Sequence, residues 1–143
     1  MGLVFIGYSC NLAILSGSGT HGSIKEYSYP ISKVKVDSTI QYLIRNNPKI
    51  SKIEGDGNTY NTVLIKDVKS YYFVFRFQGN ENDFKTHPNE SKFFITAIKI
   101  DNGEYKKEAE IETSEMKEAI NVFKNEFVFK LDSILGEKSV ETK

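Results

Sequence analysis

An α+β fold is predicted for this 143-residue chain by three patterns. Two segments repeat apolar residues at intervals of three and four, several others alternate apolar and polar residues, and clusters of Gly, Asn and Pro punctuate them. The predicted order is β-α-β-β-β-β-α, giving an antiparallel sheet of four to five strands with two helices packed on one face. Composition agrees: 39% of the residues are hydrophobic and 27% charged. At this length folding hides roughly two-thirds of the unfolded chain's surface, so a core can form without disulfides or a structural metal.

The elements follow in chain order. Ser23 to Tyr29 is a strand-like stretch stopped by Pro30. Ser32 is a plausible N-cap for a helix over Lys33 to Arg45, whose stripe is Val36, Ile40, Leu43 and Ile44 and which Asn46-Asn47-Pro48 ends. Strands are expected at Ile50–Ile53 and Tyr60–Lys66, around the turn cluster Gly55-Asp56-Gly57-Asn58. The most apolar strand, Tyr71–Phe77, sends Tyr71, Phe73, Phe75 and Phe77 one way and Tyr72, Val74 and Arg76 the other. Gln78 to Ser91 is polar and unpatterned and reads as the longest loop. In Lys92–Ile100 strict alternation places Phe93, Ile95 and Ala97 on one face and Phe94, Thr96, Ile98 and Ile100 on the other, a central strand covered on both sides. Asp101-Asn102-Gly103 then closes a hairpin with Glu104–Ile111, which carries one charged face. Thr113 or Ser114 caps a last helix with the stripe Met116, Ile120, Phe123, Phe127, Leu131 and Ile134, ending at Gly136. The organisation expected is an apolar signal- or anchor-like segment at 1–15, a Gly/Ser tether at 16–23, one α+β domain at 24–136 and a frayed tail at 137–143.

Leu3 to Leu15 is almost uncharged and falls short of the roughly 20 residues that span a bilayer as a helix. Its Gly7-Tyr8-Ser9-Cys10 resembles the lipobox of bacterial lipoproteins, in which a signal peptide is cut before a cysteine that carries lipid. The resemblance implies that Ser9 is the small residue before the cut, that Cys10 is lipidated, and that the protein is anchored in the cell envelope, periplasmic or at the outer membrane. The order of elements is also similar to that of many small envelope lipoprotein domains. Two other readings stay open: a buried strand or helix with Cys10 as a small core residue, in a cytoplasmic protein, or an ordinary secretory segment. Gly17-Ser18-Gly19-Thr20-His21-Gly22 matches a dinucleotide-binding glycine pattern, but the strand-like stretch after it supplies no helix N-terminus for a pyrophosphate, so no nucleotide is expected.

Nineteen basic residues against nineteen acidic ones give no field to concentrate polyanions, so no nucleic acid partner is expected. The single Cys10 forbids an internal disulfide, and one Cys with two His does not make a zinc site. Neither His21 nor His87 is placed near a nucleophile. Asp56-Gly57-Asn58 with Glu54 lacks the spaced oxygens of a calcium loop, and His87 with Asp83 and Glu90 lies in a polar segment. No catalytic residue, metal or cofactor is therefore expected. With eight Tyr and ten Phe, the aromatic content is the feature open to a functional reading. A sheet face left uncovered would present Tyr72, Arg76 and Phe94 to a partner, and the acidic segment would add Glu81 and Asp83. The function expected is that of a non-enzymatic envelope lipoprotein acting by protein contact as an accessory subunit of a membrane-associated assembly. The alternatives are a small apolar-ligand or lipid-binding module, its cavity lined by Phe73, Phe75 and Phe123, and an immunity or inhibitor protein.

Overall fold

The computed structural model describes residues 22–54 and 61–143. The expectations for 1–15, Cys10, His21 and the turn at 55–58 lie outside the described residues. Strands β1 (Lys25–Tyr29), β2 (Ile50–Ile53), β3 (Asn61–Lys66), β4 (Ser70–Phe77), β5 (Ser91–Ile100) and β6 (Val140–Thr142) form one sheet in the order β2-β3-β4-β5-β1-β6. Every neighbouring pair is antiparallel. The α+β class and the antiparallel sheet are as the sequence predicts; among the described residues the sheet has six strands rather than four or five.

On β4 the alternation holds, with Tyr71, Phe73, Phe75 and Phe77 buried and Tyr72, Val74 and Arg76 half-buried on the other side. On β5 it does not. Val74 pairs with Ala97 but Phe75 pairs with Ile95, so Thr96 is an extra residue in the ladder. This bulge moves Ile98 and Ile100 to the side of Phe93 and Ile95, opposite Phe73 and Tyr71, and leaves Ala97 with Phe94 on the other face. Thr96 fills the irregularity by donating its hydroxyl to the Val74 carbonyl at 3.3 Å.

Helix α1 (Lys33–Asn46) starts where the Ser32 hydroxyl accepts from the Lys35 amide, and it buries Val36, Ile40 and Leu43. At the C-terminal end α3 (Thr113–Phe123) passes through a π turn (Lys124–Val128) into α4 (Phe129–Leu135). The extra residue of the π turn advances the helical phase by about 100°. Val128 thereby joins Phe123, Phe127 and Leu131 in the core, while Ile134, which the regular stripe placed inside, is exposed. The helix is capped by Glu112, without a side-chain bond, and not by Thr113 or Ser114; it closes at Gly136 with φ +71°. Against it pack the rings of the sheet, with Phe73 and Phe123 centroids 4.7 Å apart and Phe123 and Phe127 4.8 Å apart. Tyr29, buried beside Phe93, donates to Asp132 at 2.6 Å and so ties β1 to α4.

Three further expectations are corrected. The supposed loop Gln78–Ser91 contains a short helix, α2 (Glu81–Thr86), set by a reciprocal cap: Asn80 Oδ1 accepts from the Asp83 amide at 3.0 Å and Asp83 Oδ2 from the Asn80 amide at 2.8 Å. Gly79 before it has φ +105°, and a Cβ there would come 3.1 Å from Asp83. Glu104–Ile111 is not a strand; β1 already occupies the edge of β5 along Ser91–Ile95, and only Lys106 bridges to Ile98 beyond it. The tail is not frayed at its end, because Val140–Thr142 adds to β1 as β6.

Candidate functional site: the second face of the sheet

Helices α1, α3 and α4 contribute to one core with Tyr27, Phe73, Phe75, Phe93 and Ile95, so they cover the same side of the sheet. The side chains that alternate with those residues point away from it. Register brings them into rows: Lys99 beside Tyr72, Ala97 beside Val74, and Arg76 beside Phe94 and then Glu26.

The first row carries a cation held between rings. Lys99 Nζ lies 4.6 Å from the centroid of Tyr72 and 5.3 Å from that of Tyr105, and the two rings meet edge to face at 6.3 Å. Tyr105 is 43% exposed. Its phenol is pushed upward by burial and by the neighbouring Tyr72. Among the described residues Lys99 has no carboxylate within ion-pair distance. Further along, the Arg76 guanidinium stands 5.6 Å over the ring of Phe94, which is buried beneath it.

The last row holds a buried ion pair. Lys92 Nζ lies 3.1 Å from Glu26 Oε1, with side chains 6% and 9% exposed. Glu26 also accepts from the hydroxyls of Ser23 at 2.7 Å and Thr142 at 3.2 Å. Burial pushes this carboxyl upward, but the bonds from Ser23, Lys92 and Thr142 and the Lys92 charge outweigh it and hold the group below the usual carboxylate range.

Of the residues singled out from sequence, Tyr72 and Arg76 lie half-buried on this face and Phe94 lies on it but inside. Glu81 and Asp83 are elsewhere, on α2. Glu81 is exposed and lines a cleft of about 540 Å³ with Arg76, Lys33, Asp37 and Phe84, whereas Asp83 is occupied in capping. His87 ends α2, its amide donating to the Asp83 carbonyl, and Glu90 is buried. Sequence reasoning missed Lys99, Tyr105, Glu26 and Lys92. The signal for the last two was a charge inside each of two strand-like stretches; Lys99 and Tyr105 gave none, because the bulge and the missing strand decide where they fall. Phe73, Phe75 and Phe123 are at most 1% exposed and close on neighbouring rings.

Among the described residues no three His, Cys, Asp or Glu side chains gather as a metal site, and no helix is long and apolar enough to cross a membrane. The chain matches no protein-family model, no curated protein and no solved structure. Chemically the face combines aromatic rings with cations held beside them.

Proposed function

We propose that this protein is a non-enzymatic envelope lipoprotein, anchored through Cys10, that works by protein contact within a membrane-associated assembly. The observation that carries the contact reading is the Tyr72–Lys99–Tyr105 arrangement, half-exposed on the side of the sheet away from α1, α3 and α4. Aromatic residues with a preorganised cation lose little conformational entropy on docking, which is why interface centres favour them. The anchoring part rests on the lipobox-like Gly7-Tyr8-Ser9-Cys10 and the Gly/Ser run that follows it.

Neither alternative has a comparable observation. A ligand-binding module needs space between sheet and helices, where Phe123 instead lies 4.7 Å from Phe73 and 4.8 Å from Phe127, centroid to centroid. An acidic inhibitor surface would draw on Glu81, Asp83 and Glu90, of which only Glu81 is exposed.

The test has two arms. Protein produced in a bacterium with a lipoprotein pathway is expected to begin at an acylated Cys10 by mass spectrometry, and Cys10→Ala to abolish acylation; an unprocessed Met1 refutes the anchor. A photo-cross-linking residue placed at 72 or 105 is expected to capture a defined partner in cells, whereas the same residue at exposed Val34 on α1 does not. Identical capture from all three positions refutes the contact face.

A further inference from the structure

Strand β1 has β5 on one side and only β6 on the other. β6 is three residues long and wholly exposed, with Val140 at 45%, and nothing after Leu135 enters the hydrophobic core among the described residues. It is held by polar contacts, two of which reach buried groups of β1 from opposite faces. Thr142 donates to Glu26 on the second face, and Glu141, opposite Tyr27, accepts from the Tyr27 phenol at 3.0 Å on the helix side. The edge therefore reads two neighbouring positions: an acid, then a hydroxyl. β6 also leaves part of it unused, pairing with Glu26, Tyr27 and Ser28 while β1 runs from Lys25 to Tyr29.

We propose that the edge of β1 now covered by β6 is a strand-addition site, with β6 as its exchangeable resident. The partner it fits is an extended segment of another protein that carries Glu or Asp followed directly by Ser or Thr and runs antiparallel to β1. Main-chain bonds supply affinity in this mode and alternate side chains supply selection. A longer strand gains pairing along all five residues of β1, and so can compete with a tail that is tethered but short. β6 places none of its own side chains in the hydrophobic core, so exchange leaves the packed aromatic layer in place. This edge is separated from Tyr72 on β4 by the whole of β5, and its test does not depend on the contact reading of Tyr72 and Lys99.

The probe is a fluorescent peptide of the residue 137–143 sequence, added to the full chain in a Cys10→Ser background. Because the probe is no longer than the tethered resident, binding to the parent is expected to be weak, and to tighten about tenfold in Glu141→Gln/Thr142→Val, where two contacts of the resident strand are gone. A disulfide between Ser28→Cys and Val140→Cys, directly opposed in the register, is expected to abolish binding until it is reduced. A peptide with Glu and Thr exchanged should not bind, since it sets an acid against Glu26. Absence of binding to the loosened variant, or binding indifferent to the lock, overturns the proposal. So does a doubling of molar mass in the loosened variant without peptide capture, which would assign the edge to a second copy of the chain.

Discussion

Replacing Lys92 by Met should be among the most damaging substitutions on the second face, and its cost should depend on pH. Lys92 and Glu26 are both buried and 3.1 Å apart. Met fills most of the volume of the lysine stem but leaves the carboxylate with only hydroxyl donors from Ser23 and Thr142. Removing one partner of a buried pair costs about 3–5 kcal/mol, because the other charge is stranded in a poorly solvated site. For a domain of this size that is roughly 10–20 °C in Tm. In the parent, Glu26 titrates below its ordinary value of 4.5, so its contribution is present above that pH and lost as pH falls through the lower, folded-state value. In Lys92→Met burial acts without the ammonium and the folded-state value rises, so the stability that ionisation of Glu26 contributes above that window is reduced. The gap between parent and variant should thus be widest at neutral pH and narrow toward pH 4. Urea unfolding at several pH values measures it directly. A gap under about 1 kcal/mol, or one that stays constant with pH, would refute the assignment of Glu26 as a charged, buried partner.

Two further outcomes are expected. Phe123→Ala removes a ring in contact with Phe73, Phe93, Tyr27 and Phe127 and should destabilise the domain by about 3–5 kcal/mol in the same assay, with reduced cooperativity if the aromatic layer loosens. Asn80→Ala breaks one half of the reciprocal cap of α2 and should cost about 1 kcal/mol, with hydrogen exchange accelerating over Glu81–Thr86 and not in β4 or β5.

Much of the fold was legible because local chemistry and tertiary demand coincide. Val36, Ile40 and Leu43 on α1 and the odd positions of β4 are patterned for the side they bury, and nothing in the tertiary structure interrupts them. Legibility fails where one residue shifts a period. Thr96 in the β5 bulge reverses the faces of Ile98 and Ile100, and the π turn at Lys124–Val128 exchanges Ile134 for Val128. Neither is visible as a break in the apolar pattern, since each segment stays apolar on both sides of the shift. Short elements fail differently. α2 has one apolar residue to offer, Phe84, and β6 has no buried side chain, so both are specified by polar contacts that no periodicity reveals. Of the site, Tyr72 and Arg76 could be read from the alternation of β4, but Lys99 and Tyr105 meet Tyr72 only through the register that the bulge creates.

The buried pair also bears on why β1, first of the described strands, settles between β5 and β6 in a single register. Its alternation is Lys25, Tyr27, Tyr29 on one side and Glu26, Ser28 on the other, and both tyrosines lie against Phe93 in the aromatic layer. A slip of one residue would turn every side chain to the opposite face. Glu26 would then enter a layer of phenyl rings with no donor, at a cost of several kcal/mol, while Tyr27 and Tyr29 would leave it. Three donors from three separate segments, Ser23, Lys92 and Thr142, converge on Glu26 only in the observed register. The carboxylate thus contributes less to net stability than to uniqueness: it penalises the alternative pairing that a strand of aromatic and small residues would otherwise tolerate.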